Sequence, residues 1–458
     1  MKKILVGLIC LFLFSGCLGA GRAEDPYGWN LRVMGFDRLL EAAERDEGLR
    51  RPLLAAVIDT GCDVNHELFR GRISPDSRNF FDGAEDDLSD PDGHGTSVAG
   101  VLASATPENV RLLIIRVGQY DRYVTPERMN DAILYALEKG ADVVNFSIST
   151  ELNIPQPDGV RDVCAWSNGI RLCREKGVPF VCGAGNKARD AGWEYPAADP
   201  DAVAVSSLTL HGTLQDVSDY GKLVEFSAPG AGIRVPKSGT RDGYLFSGGT
   251  SLAAPHITAA FAWAKLLYPE DTLSGLTGRL HACAVDPGTH EGLNGPADMP
   301  VACALREGEA AAPLCLYARL RSAYHISFSG EGPENLLDGN PNTKWCVPFR
   351  DADAAVYAEW QTDGPAAASG IIFMTADDTG NHPGRNPEGM ILYGRNAPDG
   401  EWREIWRQDP GRKLPGEDRA GCFFAFPERA EAYEYYRLEV PSNGGDNAMQ
   451  LSVAALVP

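Results

Sequence analysis

The sequence predicts an α/β domain, a parallel sheet flanked by helices, followed by a smaller all-β domain. Short apolar runs alternate with helical patterns from about residue 53 to residue 268. One segment between two of these runs has helical periodicity with a start and a stop signal. After about residue 305, Asp, Asn, Gly and Pro become frequent and the apolar runs turn short and aromatic.

Residues 54–58, 112–117, 143–148 and 179–182 are continuous apolar runs of strand length, as expected of strands covered on both faces. The helix lies between the second and third runs. Thr125 can cap it, Pro126 suits its first turn and Gly140 ends it. Met129, Ala132, Ile133, Ala136 and Leu137 recur at helical spacing and form its buried face. A second helical pattern ends near Lys176-Gly177, just before the run at 179. Strands alternating with helices imply a parallel sheet. Farther on, Ile371-Ile372-Phe373, Met390-Ile391-Leu392-Tyr393 and Tyr435-Tyr436-Arg437-Leu438 read as antiparallel strands between turns. The boundary falls near residue 320.

The chain has 458 residues, room for two or three domains, with 44% hydrophobic and 23% charged residues, which excludes a largely disordered chain. Its net charge of -21 argues against nucleic acid as a partner, because phosphate contacts need a basic surface. Lys2 and Lys3 precede an apolar run from Ile4 to Phe14, too short for a membrane span and suited to the core of a secretion signal within residues 1–23. It ends in Phe14-Ser15-Gly16-Cys17, which resembles a bacterial lipobox with Phe14 in place of the usual Leu. Cys17 is then the lipid anchor and the only link to a membrane. Ordinary cleavage after Ala23 is the alternative. The protein is expected to be exported, to the cell envelope or beyond. Of 11 cysteines, Cys10 leaves with the signal and Cys17 is the lipid candidate; export permits disulfides among the rest. No cysteine pair shows zinc spacing with histidines, so no metal is assigned.

Three segments carry chemistry. Val57-Ile58-Asp59-Thr60-Gly61 puts an acid at the end of a buried strand. Asp92-Gly93-His94-Gly95-Thr96-Ser97 puts a histidine at a helix start, and Gly249-Thr250-Ser251-Leu252-Ala253-Ala254-Pro255-His256 puts a serine at the start of another. A fourth, Gly183-Ala184-Gly185-Asn186, follows a strand and places an amide at the sheet's carboxyl edge, where α/β sites gather. Taken together and in this order, residues from about 50 to 305 resemble the subtilisin-like serine peptidases. The resemblance implies an endopeptidase acting on protein substrates without a catalytic cofactor. His94 is the base for Ser251, Asp59 orients His94, and Asn186 with the Ser251 backbone N–H binds the oxyanion. It also implies that an extended substrate pairs with Ser147-Ile148-Ser149, with Gly183-Ala184-Gly185 as the opposite wall. Ser149 replaces the family's common Gly and narrows the pocket entrance.

Departures from the family pattern carry their own expectations. Ser97 replaces the usual His after Gly-Thr and is outside the triad. Leu68 stands where many relatives place a calcium-binding Asp, and the loop after Ala103 is short, so the strong calcium site is expected to be missing. Tyr27-Gly28-Trp29-Asn30-Leu31 already resembles the start of the catalytic domain, leaving little room for a propeptide. Cys62 is expected to be a buried thiol acting as a small hydrophobe. Tyr195-Pro196 matches a family pair just beyond the floor of the main specificity pocket, which puts Glu194 near that floor. Three outcomes stay open: Glu194 receives a substrate Lys or Arg, it is satisfied internally by Lys187 or Arg189, or a one-residue slip leaves Trp193 there and favours small side chains.

Residues from about 322 to 458 resemble a discoidin, or coagulation factor type C, domain, on Asn335-Leu336-Leu337-Asp338-Gly339-Asn340-Pro341-Asn342-Thr343-Lys344-Trp345, Asp399-Gly400-Glu401-Trp402 and a final strand Gln450-Leu451-Ser452. The resemblance implies a jelly-roll sandwich whose end loops bind a glycan or another cell-surface ligand. Asp338, Asn340 and Thr343 carry oxygens that suit calcium, but Val453 stands where the family often has Glu, which favours a structural turn. Cys346 and Cys422 are candidates for a bracing disulfide. The predicted division is thus a peptidase domain over 24–310, a linker over 311–321 and the sandwich over 322–458. A surface-binding protein on a peptidase scaffold is the competing expectation; intact Asp59, His94, Asn186 and Ser251 argue against it.

Overall fold

The computed structural model describes residues 27–119, 125–152, 167–285, 299–300, 302–306, 318–324, 327–338, 340–349, 356–427 and 430–458. The first part runs α1 (Trp29–Val33), α2 (Phe36–Arg45), β1 (Leu53–Asp59), β2 (Arg78–Asn79), α3 (His94–Ala105), β3 (Val110–Arg116), α4 (Pro126–Glu138), β4 (Val143–Phe146), β5 (Thr150–Glu151), α5 (Ser167–Glu175), β6 (Phe180–Gly183), β7 (Glu194–Tyr195), β8 (Val203–Leu208), β9 (Val224–Pro229), β10 (Ile233–Pro236), β11 (Tyr244–Ser247), α6 (Thr250–Leu267) and α7 (Leu273–Ala282). Seven strands form a parallel sheet in the order β2-β3-β1-β4-β6-β8-β9. The predicted α/β domain is therefore present.

Strand periodicity assigns each face. In β1, Leu53, Ala55 and Val57 join the core under α3 and α6, while Ala56 and Ile58 join the core under α4 and α5. Both faces are buried, which is why these strands read as continuous apolar runs. Helix α4 forms as its sequence requires. Thr125 Oγ1 accepts from Arg128 N at 3.3 Å, Pro126 opens the helix, and Gly140 takes the left-handed φ of 78° just past its end. At the end of α3, Arg72 donates to the carbonyls of Ala103, Thr106 and Val110 and to Thr106 Oγ1. An internal cation thus meets the carbonyl cluster of that turn.

A two-strand pair, β12 (Ala284–Val285) and β13 (Met299–Pro300), precedes the all-β part. That part contains β14 (Ala318–Ala323), β15 (Trp345–Pro348), β16 (Val356–Ala366), β17 (Gly370–Met374), β18 (Pro387–Glu388), β19 (Ile391–Arg395), β20 (Arg403–Arg407), β21 (Gly421–Ala425), β22 (Tyr433–Val440), β23 (Ser442–Asn443), β24 (Ala448–Leu451) and β25 (Val453–Val457). A five-stranded antiparallel sheet, β14-β16-β22-β19-β20, faces a three-stranded one, β21-β17-β25, across a shared apolar core. Three sequence expectations need correction here. Strand β14 begins at Ala318, inside the stretch read as a linker. The final strand is Val453–Val457 rather than Gln450-Leu451-Ser452, because the chain changes partner at Ser452, from β15 to β17. Cys346 and Cys422 are buried thiols and not a disulfide, since they lie opposite Gln450 and Phe373 on strands of different sheets.

The three-stranded sheet is apolar on both faces. Ile371, Phe373, Cys422, Phe424, Ala454 and Leu456 point into the sandwich core. Ile372, Met374, Phe423, Val453, Ala455 and Val457 belong to the same core as Trp29, Phe36 and α6. Trp29 is fully buried and its indole N–H donates to Gly232 O at 3.2 Å. The Arg32 guanidinium lies 4.2 Å from the centre of the Phe423 ring. His211 Nε2–H donates to Leu336 O at 3.0 Å across the same boundary.

Candidate active site

The site lies at the carboxyl ends of β1, β4 and β6, as the crossover topology of a parallel sheet dictates. Asp59 closes β1 and is 1% exposed. His94 opens α3, and its Nδ1–H donates to Asp59 Oδ1 at 2.6 Å. A carboxylate can only accept, so this bond sets the tautomer and leaves Nε2 as the basic nitrogen of the neutral ring. Gly95 makes the approach possible, since a Cβ there would meet Gly61 O at 2.2 Å and Asp59 Cβ at 3.1 Å.

Burial draws the His94 pKa down, but the Asp59 carboxylate beside it more than offsets this, and it is pushed up to about 8. The sequence makes His94 the expected general base, and a general base must be neutral, so the logarithm of kcat/KM is expected to climb one unit per pH unit up to about pH 8 and then level off. In Asp59→Asn the limb should move toward the ordinary histidine value of about 6.5, while turnover falls by roughly 10⁴. A rate profile against pH on both proteins checks this. A wild-type limb below pH 6 would contradict it.

Asp90 was not singled out in the sequence. It is buried, and Oδ1 accepts from Thr60 Oγ1 at 2.8 Å and Gly93 N at 3.0 Å. Its Oδ2 accepts from Thr96 N at 2.7 Å and Thr96 Oγ1 at 2.6 Å. One carboxylate thus ties the segment leaving Asp59 to the first turn carrying His94. Its only sequence signal is an acid four residues before the histidine, which any turn would also show. Ser97 Oγ donates to Gly93 O at 2.8 Å, so it serves the helix start. Cys62 is a buried thiol, and burial followed by nearby Asp90, Asp63 and Asp59 pushes its pKa well up, as expected of an inert side chain.

Ser251 is the second residue of α6, and its Oγ donates to Ser147 O at 3.3 Å. Pro255 has no N–H to return to the carbonyl of Ser251 four residues back. That carbonyl accepts from Ser147 Oγ instead, at 3.0 Å. Thr258 Oγ1 donates to Asn145 Oδ1 at 2.8 Å, and Asn145 Nδ2 donates to Ser147 Oγ at 3.0 Å, which completes a buried chain from α6 to β4. The proline that costs the helix one bond therefore couples the serine's turn to the neighbouring strand end. His256 is a packed neutral ring, its pKa drawn down to about 4 by burial. Its Nδ1–H donates to Leu252 O at 2.8 Å and its Nε2 accepts from Asn30 Nδ2 at 2.8 Å.

Asn186 follows β6. Its Oδ1 accepts from Thr250 N at 2.9 Å and Thr250 Oγ1 at 3.3 Å. A backbone N–H needs an acceptor, so these bonds fix the amide orientation and turn Nδ2 away from Thr250. Ser147, Ile148 and Ser149 run off the end of β4; Gly183 closes β6, with Ala184 and Gly185 following. Glu194 lies between the two walls. Ser149 Oγ donates to its Oε2 at 3.0 Å, and a Cβ on Gly185 would meet Glu194 Cγ at 2.7 Å. Its Oε1 accepts from Lys187 Nζ at 2.8 Å and Arg189 Nη2 at 2.7 Å. Of the three outcomes left open for Glu194, internal satisfaction is the one observed, by both cations at once. Among the described residues no group of three or more His, Cys, Asp or Glu is placed to hold a metal ion. Asp338 accepts from Asn340 N at 2.8 Å and Thr343 Oγ1 at 2.7 Å, the bonds of a turn.

Residues 52–285 match the family model of the subtilase family. This chain belongs to that family and is a serine endopeptidase. It is 31% identical over 271 residues to the major intracellular serine protease of Bacillus subtilis (strain 168), covering 52% of this chain and 79% of that one. It is also 31% identical over 216 residues to a thermophilic serine proteinase from Bacillus sp. (strain AK1), covering 45% of this chain but only 50% of that one. In fold, this subtilase resembles a lanthipeptide protease whose crystal structure superposes with a TM-score of 0.53 at 20% identity, covering 61% of this chain and 94% of that one.

Proposed function

We propose that Asp59, His94 and Ser251 form the catalytic triad of this subtilase and that Asn186 Nδ2 and the Ser251 backbone N–H bind the oxyanion. The observation that carries the proposal is the 2.6 Å bond from His94 Nδ1–H to Asp59. With that nitrogen engaged, Nε2 takes the Ser251 proton as Oγ attacks the substrate carbonyl, and then passes it to the leaving amine. The Asp59 carboxylate offsets the charge gained by the ring. The α6 N-terminus adds its dipole to the two oxyanion donors. A fluorophosphonate probe should label the purified protein, with the adduct mapped to Ser251 by peptide mass; an adduct on another serine would refute the assignment.

The substrates are proteins or peptides held in extended form along Ser147-Ile148-Ser149, facing Gly183-Ala184-Gly185. Catalysis requires no cofactor. The protein is exported and anchored through a lipid on Cys17; a mature N-terminus at Glu24 in the intact mass would exclude the anchor. Residues from Ala318 onward form a discoidin-like sandwich that braces the peptidase. Its end loops are the place where a cell-surface ligand, a glycan among them, would bind, and glycan-array binding by the Ser251→Ala protein tests this. Intact Asp59, His94, Asn186 and Ser251 favour this account over a binding protein on a peptidase scaffold.

A further inference from the structure

The floor between the two substrate walls is a charge cluster of Glu194, Lys187, Arg189 and Glu151, backed by buried Asp219, whose Oδ1 accepts from the backbone N–H groups of Lys187 at 2.8 Å and Arg189 at 3.1 Å. Glu194 is 2% exposed and its carboxylate accepts from Ser149, Lys187 and Arg189. The same two cations reach outward to Glu151, Lys187 Nζ to Oε2 at 2.9 Å and Arg189 Nη1 to Oε1 at 2.7 Å. The two acids differ sharply in setting. Glu194 is held in the interior, whereas the Glu151 side chain is 54% exposed on the two-residue strand β5.

We propose that Lys187 and Arg189, fixed by Glu194, make this pocket select an acidic side chain on the acyl side of the scissile bond, with Glu151 as the internal carboxylate that it displaces. The inference rests on the peptidase site proposed above. A buried acid without cations would call for a substrate Lys or Arg. Here that charge is already met twice, so a substrate cation would face two like charges at contact distance. A substrate carboxylate replaces one carboxylate by another on the same two donors. The cations are then paired before and after, and their desolvation changes little. Glu151 is the member most easily displaced, because exposed ion pairs hold weakly. Donors are also in surplus. Among the described residues Lys187 uses two of its three N–H groups, and Arg189 Nε is buried with no partner. The Arg189 guanidinium lies 5.4 Å from the centre of the Trp193 ring, which limits its travel.

The test is kcat/KM on a peptide series that varies only the residue before the cleaved bond, across Glu, Asp, Gln, Leu, Lys and Arg. Wild type should favour Glu over Leu by about tenfold, and over Lys by more. Glu151→Gln should raise the Glu-to-Leu ratio several-fold, and Lys187→Glu should reverse the Glu-to-Lys order. These ratios are insensitive to the fraction of folded enzyme. Equal or better cleavage after Leu or Lys by a wild-type preparation that the fluorophosphonate labels overturns this inference and leaves the triad standing. An unlabelled preparation that cleaves nothing overturns both. An unchanged ratio in Glu151→Gln overturns the displacement.

Discussion

Ser251→Ala should lower turnover of a protein substrate by about 10⁶, a magnitude that belongs to subtilisin itself and is carried over with the family. In the proposed triad the loss is large because the serine acts as one unit with His94 and Asp59: without Oγ there is no acyl-enzyme, and the other two have no proton to move. What remains is catalysis by the oxyanion donors and by substrate binding. Those features do not depend on the hydroxyl, since Thr250 N still fixes Asn186 and the Ser251 carbonyl still accepts from Ser147. The variant should therefore fold normally and bind substrate with little change. Single-turnover kinetics on the purified variant give the measurement, and residual activity above about a thousandth of wild type would reject the role of Ser251.

Met374→Asp should destabilise the whole protein, not only the sandwich. Met374 is fully buried on the sandwich sheet face that completes the peptidase core. Gly232 shows how closely the halves approach, because a Cβ on it would meet Met374 Cε at 2.2 Å. An aspartate there is a buried charge without a partner, on top of lost packing, and costs on the order of 3–5 kcal/mol. Two units joined by a linker would melt separately, with the peptidase transition untouched. A shared core predicts one cooperative transition, lowered as a unit, with peptidase activity lost at the same temperature. Calorimetry beside thermal inactivation distinguishes the two.

Much of this molecule was legible in its sequence because the signals were local. The apolar runs of β1 and β3, the Thr125-Pro126 start of α4, and Asp59, His94 and Ser251 at element ends all follow from neighbours a few residues away. What was not legible depends on contacts between distant segments. The sequence placed Glu194 near a pocket floor but could not say that Lys187 and Arg189 both reach it, because four charged residues within eight, Asp190 among them, have many possible pairings. Asp90 looks like a turn residue until Thr60 and Thr96 are seen to share it. Cys346 and Cys422 invited a disulfide, and only the strand register separates them. Of the three strands in the double-faced sheet the sequence showed only β17, and the sheet's second face had no visible partner in it.

The shared core also sets an order of events during synthesis. Trp29 and Arg32 are among the first described residues to be made, yet the residues against them include Gly421 and Phe423 of β21. At roughly 5–20 residues per second, the first helix waits on the order of tens of seconds for that cover. The layer of the peptidase core that includes α1 cannot close until β21 has emerged. The peptidase core is therefore completed only as the sandwich forms, and a nascent chain interrupted before β21 leaves Arg32 without the Phe423 ring.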